Sequence, residues 1–201
     1  MTALDLRPRA LPEAEQGAID LDVAARAARE FLVALGVPCD TESTERTPRR
    51  MAEAYAAMLS SRPFEVTTFP NEEAYDELVV VRSIPVQSVC EHHFLPFTGI
   101  AHVGYLPGGR IVGLSKLARV VELFSRRPQV QERLTQQIAD WVERHLDPRG
   151  VGVVIEAEHS CMTLRGVHVA GTTTSTSALR GVLRDSPQSR AEFLDSLRAR
   201  A

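Results

Sequence analysis

Two amphipathic helical patterns follow one another directly in the middle of this chain. From Ser115, the residues Leu117, Val120, Val121 and Phe124 share one helical face; after Pro128, Val130, Leu134, Ile138, Trp141 and Val142 do the same, until Leu146-Asp147-Pro148 stops the run. Each stripe is apolar on one side only, so both helices need a surface to bury against. The flanking segments supply it. Val79 to Val89 is a β-branched run that reads as a strand despite Pro85, and Gly99 to Tyr105 reads as another, turning at LPGGR before IVGLS. GVGVVIEAEHSC and HVAGTTTSTSALRG add two more β segments ahead of a short C-terminal helix. Strands flanking a helical pair predict an α+β domain.

Upstream, Ala24, Ala27, Phe31 and Leu35 recur at helical spacing from Leu21 and stop at Gly36 before Pro38. Thr47-Pro48 opens a second helix, predicted to bury Met51, Ala54, Tyr55 and Met58. Residues 1–19 are expected to form a loose arm, residues 20–62 a helical preface, and residues 63–201 the main domain. The formal charge of -3 offers no global attraction to nucleic acid or to an anionic membrane, so any polyanion needs a local cluster. The opening MTALDLRPRALPEAEQGAID lacks the apolar run of a secretory peptide, and no window resembles a membrane span; a soluble cytoplasmic protein is expected. In that reducing setting the three cysteines read as ligands, nucleophiles or core residues, not disulfides, and Cys39, with no histidine nearby, reads as structural.

The stretch SVCEHHFLPF puts Cys90, Glu91, His92 and His93 side by side in an apolar segment. Cys90 and His93 are three residues apart, so a helix-like turn brings both to one side. Strand alternation along Val151, Val153, Ile155 and Ala157 continues to His159 and Cys161, which predicts that Cys161 closes a Cys-His-Cys set. Three protein ligands leave a fourth tetrahedral position for water, the pattern of catalytic rather than structural zinc. A set that also drew on both remaining histidines would leave neither an open position nor an acid or base beside it. His102, His145 and His168 read as ordinary structural histidines.

The chain has one lysine among its 23 basic residues, Lys116 in GLSKLAR. With Ser115 as the expected cap and Arg119 one turn on, two cations flank a helix N-terminus whose free N–H groups favour an anion. A phosphate cradle and a solvated basic helix start both fit that spacing, which lacks the glycines of a P-loop. Arg165 lies four residues beyond Cys161, and Arg50 sits on the second N-terminal helix, where a surface position is the default. Gln131 and Glu132 occupy the first turn of a helix, where a carboxylate complements the dipole without further purpose.

SVCEHHFLPFTGIAHVGYLP, VGLSKLARVVELFSRRPQVQERLTQQIA and HSCMTLRGV, in this order between about Thr47 and Leu194, closely resemble the signature blocks of GTP cyclohydrolase I, a zinc hydrolase that opens pterin and tetrahydrofolate biosynthesis. The resemblance implies the T-fold, an antiparallel sheet with a helix pair on one face, and a toroidal homodecamer with active sites at subunit boundaries. It implies that Cys90, His93 and Cys161 hold one Zn2+ per subunit. His92 and His159 take acid/base roles, with Ser115 also among the catalytic positions. Arg50, Ser115, Lys116, Arg119 and Arg165 match positions that bind the triphosphate and ribose of GTP, and Gln131 and Glu132 match positions around guanine. The implied reaction is hydrolysis at C8 of GTP, giving formate and 7,8-dihydroneopterin triphosphate. Two rivals differ in class. A non-catalytic zinc-stabilised module has no use for two free imidazoles beside three ligands. Other T-fold enzymes are expected to show a histidine-only zinc set or a nucleophilic cysteine without the Cys-Glu-His-His block.

Overall fold

The structure, a computed structural model, describes residues 18–198, and the chain divides into two compact units between Ala57 and Met58. The expected arm, residues 1–19, lies outside the described residues except for its last two. In the first unit α1 spans Leu21–Ala34 and α2 starts at the expected Thr-Pro pair, spanning Thr47–Leu59. Asp20 caps α1, its Oδ1 accepting from the N–H groups of Asp22 (3.0 Å) and Val23 (2.9 Å). Gly36, at φ +77°, ends it in the left-handed conformation that glycine adopts without steric cost. Cys39 is buried, and Arg29 donates to its carbonyl at 2.8 Å.

The buried faces of these helices differ from expectation. Phe31 and Leu35 stand 54% and 63% exposed, and Ala28 is the buried position of α1. In α2, Pro48 and Ala52 are buried, whereas Met51, Tyr55 and Met58 are only half-buried and Ala54 is exposed. Periodicity locates an apolar stripe, but only a packed neighbour turns a stripe into core.

The second unit carries the α+β pattern. Its strands and helices run β1 (Thr68–Pro70), β2 (Val79–Cys90), β3 (Pro96–Leu106), β4 (Arg110–Val112), α3 (Leu114–Ser125), β5 (Pro128–Gln129), α4 (Gln131–Leu146) and β6 (Gly150–His159). Then follow α5 (Ser160–Thr163), β7 (Thr173–Gly181), α6 (Val182–Asp185) and α7 (Pro187–Arg198). The main sheet has the order β5-β2-β3-β6-β7, antiparallel except where β5 runs beside the end of β2. β1 and β4 form a separate two-stranded ladder. Pro85 is tolerated because β5 pairs only with Val89 and Cys90, which leaves the Pro85 stretch of β2 on an open edge.

Period-two alternation sorts β6 into two faces. Val151, Val153, Ile155 and Ala157 are almost fully buried beneath the helix pair, with α3 against β2 and α4 against β6 and β7. Thr176 of β7, paired with Ile155, meets Thr135 of α4 at 2.7 Å between hydroxyls. Asp147 ends α4 in the left-handed conformation (φ 44°), followed by Pro148 as the sequence predicts. The helix before it, α3, begins at Leu114, two residues earlier than a cap at Ser115 predicts. Gly113 occupies the cap position without a side-chain bond, so Ser115 is a first-turn residue and not the cap.

The opposite face is covered at one end by α7. Gly104 and Gly152 stand directly across from each other in β3 and β6, and the fully buried Phe193 ring lies over both. A Cβ at Gly152 would come within 2.6 Å of that ring, and one at Gly104 within 2.8 Å. Leu106, Val154 and Leu183 complete this second core. Between the bulge of β2 and β3, Ser83 takes φ +55° and its N–H donates to Nδ1 of the buried His102 at 3.3 Å. No helix among the described residues is long and apolar enough to cross a membrane.

Phe193→Ala removes the ring that fills this groove and should lower unfolding stability by about 3–5 kcal/mol, read from the urea midpoint. Burial holds His102 below its ordinary pKa, opposed by Glu156 and reinforced by Arg82. The unfolded chain therefore takes up the proton first as pH falls. The stability contributed by neutral His102 is complete above about pH 6.5 and is lost as pH drops through the folded-state value. His102→Asn should flatten the fall in urea midpoint between about pH 7.5 and 5.5 relative to the unsubstituted chain; an unchanged slope counts against this role.

Candidate metal centre and active site

At the end of β2 the chain makes one helix-like turn. Phe94 N–H donates to Cys90 O at 2.8 Å, Cys90 N–H donates to Leu95 O at 2.8 Å, and Phe94 takes φ +55° to reverse into β3. Cys90 and His93 thereby face the same side, with Cys90 Sγ 3.8 Å from His93 Nδ1. Cys161 arrives from the far side of β3, its Sγ 4.0 Å from that of Cys90, and the three donor atoms lie within 4.8 Å of one another. The route differs from the one the sequence predicts. β6 ends at His159, and Cys161 sits on the single turn of α5 instead of continuing the strand.

These residues fit a tetrahedral zinc ion. Bond lengths of about 2.3 Å to sulfur and 2.0–2.1 Å to nitrogen put sulfurs about 3.8 Å apart and sulfur about 3.6 Å from nitrogen, close to the 4.0 Å between the two sulfurs and the 3.8 Å between Cys90 and His93. All three cysteines are free. Burial, and then the neighbouring Cys90, push the Cys161 thiol above its usual pKa, so a pair of thiolates at this spacing calls for a cation. The turn is braced from α4: Arg133 forms an ion pair with Glu91 and donates through Nε to Gln129 at 3.0 Å, while Glu91 N–H donates to Gln129 O at 3.1 Å. Arg133 holds the Glu91 carboxyl below its usual pKa.

Beside the donor set, His92, His159, Gln131 and Glu132 line the same hollow of about 220 Å³. His92 is exposed, its Nε2 4.0 Å from Glu91. His159 stacks on the buried Phe97 ring with centroids 4.4 Å apart and planes within 10°. Its Nε2 lies 2.7 Å from Gln131 Oε1. Burial pushes its pKa below the ordinary value, and the Glu132 carboxylate pulls the other way. Glu132 is exposed in the first turn of α4; Gln131, one residue earlier, is only 2% exposed.

The cationic residues lie elsewhere. Ser115 and Arg119 line a different hollow of about 380 Å³ with Arg62, Gln87 and Arg126. In it Glu122 is gripped by Arg62 (2.7 and 2.8 Å) and reached by Arg119 at 3.2 Å, which holds its carboxyl below the usual pKa. Lys116 is half-buried in the same first turn of α3. That turn is anchored at the far end of the sheet, where Val112 N–H donates to the Tyr105 hydroxyl at 3.2 Å. Tyr105 pairs with Val79 and Val151, whereas Phe97 pairs with Ser88 and His159 at the metal end. Arg165 is exposed in the segment after α5, and Arg50 is exposed on α2 in the first unit.

The family model described as GTP cyclohydrolase I matches residues 24–198. The chain belongs to the GTP cyclohydrolase I family. It is 55% identical over 174 residues to the GTP cyclohydrolase 1 of Mycolicibacterium vanbaalenii, covering 84% of this chain and 86% of that one. The GTP cyclohydrolase 1 of Thermobifida fusca is 52% identical over 180 residues, with 87% of each chain covered. That of Mycobacterium tuberculosis is 52% identical over 181 residues, covering 88% of this chain and 90% of the relative. Within this GTP cyclohydrolase I chain, Cys90, His93, Cys161, His92, His159, Gln131 and Glu132 meet in one hollow, and Ser115 and Arg119 line another, with Lys116 beside Ser115 in the first turn of α3. Two features escaped the sequence reading. The Glu91–Arg133 brace left a trace in the i, i+4 spacing of Gln129 and Arg133, and the burial of Gln131 left none.

Proposed function

We propose that this chain is a zinc-dependent GTP cyclohydrolase that opens the imidazole ring of GTP at C8, releases formate and yields 7,8-dihydroneopterin triphosphate. The observation that carries the reading is the three-donor Cys90–His93–Cys161 cluster sharing a hollow with two histidines outside it. Thiolate, imidazole and thiolate suit zinc, and three ligands leave a coordination position open. When bound, the ion supplies a Lewis acid that brings the pKa of water down toward about 7. His159 protonates N7, which makes C8 electrophilic, and His92 serves the ribose ring oxygen as the sugar opens. The Glu132 carboxylate accepts from both N1–H and the exocyclic amine of guanine, a donor pair that adenine does not present. Phe97 keeps one face of His159 dry, and Arg165 is the cation nearest in sequence to the donor set.

The hollow beside the donors, at about 220 Å³, is small for a whole nucleoside triphosphate and suited to its base. Ser115, Lys116 and Arg119 carry the triphosphate in this reading, with Arg50 as a further cation. The donor set and the cationic residues line two separate hollows, and in this reading the site is completed by another copy of the chain. A homodecamer with active sites at subunit boundaries satisfies that requirement. The three unpaired cysteines accord with a soluble cytoplasmic enzyme.

Purified protein given GTP should release formate with the rise of pterin absorbance, and a chelator should stop both. Cys161→Ala should lose stoichiometric zinc and turnover together; full activity without metal rules out the ligand assignment. Lys116→Ala and His159→Ala should each be nearly inactive at moderate GTP, yet mixed oligomers reassembled from the two should regain part of the activity, because some boundaries then combine an intact metal end with an intact phosphate end. Absence of any recovery in verified mixed oligomers argues for a site built within one chain.

A further inference from the structure

Gln131 opens α4 but its side chain points inward and is 2% exposed. Its amide nitrogen lies 3.0 Å from Ile155 O, 2.9 Å from Thr174 O and 3.1 Å from Thr176 Oγ1. Its amide oxygen lies 2.7 Å from His159 Nε2. Amide oxygen and nitrogen are told apart by their partners. The two backbone carbonyls only accept, so the group facing them must be the NH2. Turning the amide over would set its oxygen against both carbonyls. The oxygen therefore faces His159, and because an amide oxygen only accepts, Nε2 must carry a hydrogen.

We infer that Gln131 is a positioning residue that fixes His159 as the Nε2–H tautomer, leaving Nδ1 as the ring nitrogen that bears no hydrogen in the neutral imidazole. The inference rests on the proposed acid/base role of His159. With its two N–H groups facing three acceptors inside the chain, Gln131 has no donor to spare for a purine, and reading the base falls to Glu132. Phe97, stacked on one face of the imidazole, prevents the ring from tilting away from this bond. The carbonyls of Ile155 and Thr174 belong to neighbouring strands, so the ring's orientation is referred to the sheet itself and not to a loop.

Histidine-selective 15N labelling of the full-length, zinc-loaded protein tests this directly at neutral pH. Solid-state NMR distinguishes protonated from bare ring nitrogens, and the signals missing from His159→Gln identify His159. A protonated Nε2 and bare Nδ1 are expected; the reverse tautomer overturns the inference. In Gln131→Ala the tautomers should mix, and kcat for formate release should fall about 10- to 100-fold while KM for GTP stays within about twofold. A raised KM with kcat and tautomer unchanged would instead make Gln131 a base-contacting residue and refute the inference. Should Gln131→Ala fail to fold, the tautomer of the unsubstituted protein still decides. Absence of formate from the unsubstituted protein would defeat the proposed function, and the NMR result would remain readable on its own.

Discussion

The candidate site depends on the register of β3 between β2 and β6. β3 pairs with both neighbours over nearly its whole length, Phe97 standing across from Ser88 on one side and His159 on the other. That alignment brings the turn after β2 and the turn after β6 to the same edge of the sheet, where two thiols and an imidazole from distant segments converge. A two-residue slip would carry the donors roughly 7 Å apart along the strands, too far to share one ion. The alternation of buried Val151, Val153, Ile155 and Ala157 against exposed Glu156 and Glu158 excludes a slip by one, which would bury the carboxylates beneath the helix pair.

Much of this was legible in the sequence because it rests on local periodicity. The two central helices, four of the strands and the turn that aligns Cys90 with His93 all follow from spacing. Cys161 was reached by a route that the fold does not take. Strand alternation carried it past His159, whereas the chain leaves the sheet there and a helical turn delivers the sulfur to the same place. Gln131 was the least legible of the site residues. A glutamine in the first turn of an amphipathic helix reads as surface, and its burial depends on two carbonyls from strands still to come in the chain. The inner faces of α1 and α2 were misread for a related reason: Phe31 and Leu35 are apolar, but hydrophobicity does not say what covers a side chain.

Charge is divided as deliberately as packing. The metal end holds Glu91 and Glu132, with Arg133 neutralising the first, while α3 presents Lys116 in its first turn and Arg119 in its second. Glu122 between Arg62 and Arg119 keeps the cationic hollow partly neutralised and its guanidinium groups oriented.

The paired glycines under Phe193 have a consequence for how the chain acquires its structure. Gly104 and Gly152 lie opposite each other in the central strands and contribute no side chain to hold those strands together. What seals that part of the sheet is an aromatic ring from a helix translated after all seven strands. Closing the groove therefore joins residue 193 to positions 104 and 152, a long-range contact of the kind that slows folding.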